Sequence, residues 1–82
     1  MNADDKYKHY LFDLGPAIKE RALEAKKARD REAKGSEGYM YESGRLIAFN
    51  EVISIMQQDA EGFGIPLADL QLEDIDPDRD LV

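Results

Sequence analysis

No cysteine occurs among the 82 residues, so the chain can build neither a disulfide framework nor a thiolate zinc site, and a cytoplasmic setting suits it better than a secreted one. A single histidine, His9, excludes a histidine-rich metal centre and has no evident nucleophile to activate. The opening stretch "MNADDKYKHY" lacks the basic start and apolar core of a signal peptide. No apolar run approaches the roughly 20 residues that a membrane-spanning helix requires. The patterns GxxxxGK[ST], GxSxG and GxGxxG are all missing. Glu42 and Glu51 fall on different helix faces and form no acid/base pair. These absences predict a soluble protein that is not an enzyme and uses no cofactor.

What is present is helical periodicity. Tyr7, Tyr10, Leu11, Leu14, Ile18, Ala22 and Ala25 recur at intervals of three and four, the signature of one helical stripe. The stripe keeps its phase through Gly15-Pro16. It therefore predicts one helix over about 4–34 with a kink at the proline, the alternative being a short helix ending near Leu14 and a second opening at Pro16. A break would let Phe12 turn inward. The segment "AKGSEGY" reads as a stop and restart, with Gly35 as C-terminal cap and Ser36 as N-cap. So short a connection makes the two helices antiparallel. The second helix is expected over about 37–63, ending at "GFGIP", and residues 64–82 form a strap. The prediction is an all-α antiparallel hairpin with a C-terminal strap, one domain over 1–82.

The second helix carries two apolar seams. Leu46, Phe49, Ile53, Met56, Ala60 and Phe63 form one; Tyr41, Gly44, Ala48, Val52, Ile55 and Gly62 form another, about 115° away at 100° per residue. Two explanations compete for the second seam. Either the arc as a whole covers the first helix and a folded-back strap that contributes Ile65, Leu67, Leu70, Leu72 and Ile75, or one seam faces a second copy in a four-helix dimer. Arg45 and Asp59 interrupt the apolar arc, each seven residues from Val52. In an antiparallel pairing about a twofold axis at Val52, Arg45 of each copy meets Asp59 of the other. The expected dimer interface is Tyr41, Gly44, Arg45, Ala48, Val52, Ile55 and Asp59. In a monomer Arg45 would instead reach solvent beside Glu42.

Net charge is −7, but the charge is unevenly placed. Residues 19–34 hold seven Lys/Arg against four Asp/Glu, whereas residues 59–82 hold eight acids and only Arg79. The acids Asp69, Glu73, Asp74, Asp76, Asp78 and Asp80 make a candidate surface for a basic partner. Asp74, Asp76, Asp78 and Asp80 alternate as the early ligands of a calcium loop do, but Arg79 stands where that loop needs glycine, and no closing glutamate follows. Specific metal binding is not expected. Lys26, Lys27, Arg29, Arg31 and Lys34 could meet phosphates, yet Glu20, Glu24, Asp30 and Glu32 interleave with the basic helix. An apolar C-terminus such as Leu81-Val82 is also the kind that peptide-binding pockets capture.

The stretch "GRLIAFNEVISIMQQDAEGFGIPLADLQLEDIDPDRDLV" resembles the C-terminal half of a group of short uncharacterised bacterial proteins, in which a GRxxAxxEVISxM helix leads into an FGIxLxxLxLxxIDPxxDL tail. The resemblance implies an ordered tail and carries no activity, cofactor or site residue with it. The reading that follows is a small homodimeric interaction or regulatory module. Two alternatives stand beside it: an acidic nucleic-acid mimic or inhibitor that occupies a basic partner, and a nucleic-acid-binding helical dimer.

Overall fold

The computed structural model describes residues 3–82; Met1 and Asn2, counted above in the one domain, lie outside the described residues. Two long antiparallel helices, α1 (Ala3–Asp30) and α2 (Glu37–Gly62), form a hairpin. A 3-10 turn (Leu67–Leu70) and a one-turn helix, α3 (Pro77–Asp80), sit within the strap. No strand occurs among the described residues, and none of their helices is long and apolar enough to cross a membrane.

α1 runs without interruption through Pro16, so the reading of two helices meeting there is corrected. Phe12 accordingly stays exposed and does not turn inward. The reason lies in the strap. A proline at 16 cannot donate to the carbonyl of Phe12 four residues back, and Gln71 supplies that donor, its Nε2 lying 2.9 Å from the Phe12 oxygen. Gly15 is buried, and a Cβ built on it would fall 1.6 Å from the Leu70 carbonyl oxygen. The Gly15-Pro16 pair is thus a notch: one residue removes a side chain so that the 3-10 turn can approach, and the next frees an acceptor for it. Gln71 itself adopts the left-handed region at φ 54°, tied to α1 through its side chain and through its carbonyl, which accepts from Lys19.

The helix expected over 4–34 ends earlier, at Asp30. Residues 31–36 are needed to reverse the chain, and Gly35, at φ 83°, lies in that loop rather than capping the helix directly. Ser36 does cap α2, its hydroxyl accepting from the Tyr39 N–H at 3.1 Å. At the far end Gly64, at φ 70°, closes a two-bond cap: its N–H donates to Glu61 and the Ile65 N–H to Ala60. This left-handed glycine is what terminates α2 and sends the strap back along the hairpin.

The core lies along the line where both helices and the strap meet. Ala22 and Ala25 of α1, Leu46, Ile53 and Ala60 of α2, and Leu70, Leu72, Ile75 and Leu81 of the strap are its buried members. Full burial of each large aliphatic side chain here is worth about 1.5–3 kcal/mol. The alanines explain why the strap fits, since small side chains on α1 leave a channel that Leu72 and Leu81 fill. Two stripe assignments are corrected. Tyr7 and Tyr10 are exposed because none of residues 3–10 is covered, and Phe63 is exposed where α2 has already begun to turn.

Candidate interaction surface

The strap is held largely by side chains, because an irregular segment has few main-chain partners of its own. Asn50 and Gln57, seven residues apart on α2, act as a pair of amide clips. Asn50 Nδ2 donates to the Pro77 carbonyl at 2.8 Å and to that of Leu81 at 3.4 Å; Gln57 Nε2 donates to Ile75 at 2.8 Å and Leu72 at 3.1 Å. From α1, Lys19 reaches Asp74 at 2.9 Å. Lys26 and Arg29 both donate to the main-chain oxygen of Val82, at 2.7 and 2.9 Å. The Leu81-Val82 pair is thus engaged within the fold: Leu81 is buried, and the chain's own cations hold Val82. Two polar residues in phase with an apolar stripe were the signal for these clips, and periodicity of hydrophobic residues alone passes over them.

The strap acids divide into builders and outward-facing groups. Asp74 pairs with Lys19, whose ammonium holds its carboxyl below the ordinary value of 3.8. Asp76 caps α3 by accepting from the Asp78 N–H, with Pro77 at the first helical position. Asp80 accepts from Arg79 while reaching back to the Asp76 N–H at 2.9 Å, and these bonds lower it from 3.8 to about 2. The end of the strap is therefore partly helical, and two of its alternating acids, Asp76 and Asp80, serve the start of that helix. Asp69, Glu73 and Asp78 turn outward. Among the described residues no three histidine, aspartate or glutamate side chains converge as a metal-holding group. On the basic side, Lys26 and Arg29 are occupied by Val82 and Asp30, and Arg31 donates to the Lys27 carbonyl, so this cluster is drawn partly into the fold.

The second seam of α2 is bare. Its residues lie about half a turn around the helix from Asn50 and Gln57, so the strap occupies the opposite side and cannot reach them. Tyr41 is 67% exposed, Val52 40% and Ile55 57%, with Ala48 exposed between them. Nothing lies within 4 Å of a Cβ built on Gly44. The alternative in which α1 and the strap occupy the whole apolar arc thus does not hold for this half of it. Arg45, half-buried at the edge of the seam, donates through Nη1 to Glu42 on its own helix. Asp59 is exposed in the seam and has no ion pair among the described residues.

At the end of the seam, where the hairpin opens, lies an apolar groove of about 240 Å³. Leu11 and Leu14 of α1, Met56 and Ala60 of α2, and Ile65 and Leu70 of the strap wall it, while Asp59 and Phe63 border it. The sequence placed Asp59 on a surface but not beside a groove, because the groove needs Leu11 and Leu70 brought together from opposite ends of the chain. No protein-family model matches this chain, and neither a curated protein nor a solved structure shows significant similarity to it.

Proposed function

We propose that this is a small protein-interaction module, cytoplasmic and non-enzymatic, that works as an antiparallel homodimer through the outer seam of α2. The observation that supports the reading most is the bare seam itself: the strap fills one side of the hairpin and leaves Tyr41, Ala48, Val52 and Ile55 uncovered on the other. A second copy suits this surface because its charges are self-complementary. With a twofold axis at Val52, Arg45 of each copy stands opposite Asp59 of the other, which gives the lone carboxylate a partner and the guanidinium a second acceptor beside Glu42. Gly44 and Ala48 let the two α2 helices approach closely, and the product is a four-helix assembly with a strap on each outer side.

The test is sedimentation equilibrium on three forms. The wild type is expected to dimerise at tens of micromolar, Arg45→Asp to weaken association about tenfold or more by opposing like charges, and Arg45→Asp with Asp59→Arg to recover much of it. A wild type that stays monomeric, or a double variant no tighter than the single, would overturn the proposal.

A further inference from the structure

We propose that the apolar groove at the open end of the hairpin binds a small amphiphilic amine, an aryl- or alkylammonium ion whose hydrocarbon body fills the groove and whose cation meets Asp59. The groove belongs to a single copy, so the inference goes beyond the dimer and does not depend on it. The lining decides the chemistry. Leu11, Leu14, Met56 and Leu70 present apolar side chains, and among the described residues no lysine, arginine or histidine lines the groove. Asp59 is the one charged residue at its border and has no ion pair among the described residues. That combination sorts ligands by sign. An organic anion would meet the Asp59 carboxylate with no cation to offset it, and a neutral body would strip water from the carboxylate and return no bond. An ammonium ion supplies the missing charge while its hydrocarbon takes the dry walls.

Size selects a small molecule. A groove of about 240 Å³ lies just below the range usual for drug-sized ligands, so it holds a single ring or short chain and not the row of anchors by which a partner helix docks. Phe63 completes the site. It is 82% exposed at the groove border, one helical turn beyond Asp59 on α2, so its ring offers a face both to the ligand's hydrocarbon and to the cation beside it. The same groove requires the strap in place, since Ile65 and Leu70 supply one wall; amine binding therefore reads whether the strap is docked.

Methionine methyl resonances test the site. Met56 lines the groove, whereas Met40 stands near the other end of α2, so methyl labelling gives one reporter in the site and one control outside it. Phenethylammonium is the probe, with phenethyl alcohol as its neutral counterpart and hydrocinnamate as its anionic one. The titrations are run on the wild type and on Arg45→Asp, since Arg45 of a second copy contends for Asp59 in the proposed dimer. Phenethylammonium is expected to move the Met56 methyl saturably and leave Met40 in place, and to bind about fivefold tighter than the alcohol, with hydrocinnamate weakest. Asp59→Asn is expected to abolish the preference for the cation, and Phe63→Ala to weaken amine and alcohol alike. Both side chains are exposed, so these variants keep the fold, which circular dichroism verifies. A Met56 methyl that stays in place in both backgrounds, or a preference for the ammonium that survives Asp59→Asn, overturns the site and leaves the dimer standing. Hydrocinnamate binding as tightly as phenethylammonium overturns it equally.

Discussion

Pro16 and Gly15 were legible as an interruption, and the sequence raised two readings of it, a kink and a break. Neither reading contains the actual reason, because the partners of these residues, Leu70 and Gln71, are over fifty positions away. A proline announces its missing N–H locally but not the donor that replaces it. The energetic consequence is direct. Gly15→Ala is expected to cost about 1–3 kcal/mol by overpacking against main chain that has no flexible end to yield, even though alanine favours helix over glycine by about 1 kcal/mol. Chemical denaturation measures this; a Gly15→Ala variant at least as stable as the wild type would mean that the 3-10 turn does not sit in the notch. At Leu72, wholly buried, truncation to alanine is expected to lower stability by about 2–3 kcal/mol. An unchanged melting curve there would show the strap undocked in solution.

Among the elements, both long helices follow from periodicity, and Ser36 as the start of α2 follows from its type and position. The strap was legible in its apolar residues, since Leu70, Leu72 and Ile75 are buried as expected. Its polar logic was not. Asp76-Pro77 is an N-cap followed by a first-turn proline, a helix start that the alternation of aspartates disguised as a ligand series. That logic gives the strap a pH dependence. Asp74 and Asp80 both titrate lower in the folded chain than their ordinary 3.8, Asp80 at about 2. Such groups stabilise the folded state fully above the unfolded value and lose that contribution as pH falls through the folded one. The α3 turn of the strap is therefore expected to hold down to about pH 4 and to weaken between about 4 and 2, followed by the amide resonances of Asp80 and Leu81, whose N–H groups bond to Asp76 and Pro77. Asp80→Asn should flatten the change, and an identical acid transition in that variant would remove Asp80 from the account.

At the scale of the whole molecule, the hairpin has two flanks with different fates. One flank of α2 is used up by the strap, with Asn50 and Gln57 as its clips, and the other displays Tyr41, Val52 and Ile55. Sequence could count two seams but could not assign the strap to one of them, because the choice depends on amides and on the turn direction set at Gly64. The charge separation between a basic α1 and an acidic strap also resolves into particular bonds, Lys19 with Asp74 and Lys26 and Arg29 with Val82. Their carboxylate and carbonyl ends stand in solvent, which screens such pairs and leaves them a small part in stability. Truncating Lys19 to alanine is accordingly expected to shift the melting temperature far less than truncating Leu72, and the reverse order would assign strap affinity to charge instead of burial.

The strap also imposes a chronology. Its ties to α1 join residues 52 to 59 apart in sequence, whereas the hairpin can zip from residues 31–36 outward through contacts that start out local. Closing the longer loops costs more chain entropy and must wait until both walls of the channel exist. In pulsed hydrogen exchange during refolding, amides in the middle of α1 and α2 are expected to gain protection before those of Leu72 and Leu81, which bond to Leu67 and Pro77. If all of them became protected in one phase, the hairpin and its strap would have to form together. Sequential protection would instead define an interval in which the hairpin stands with its channel open, the last segment to arrive being the one that completes the groove wall.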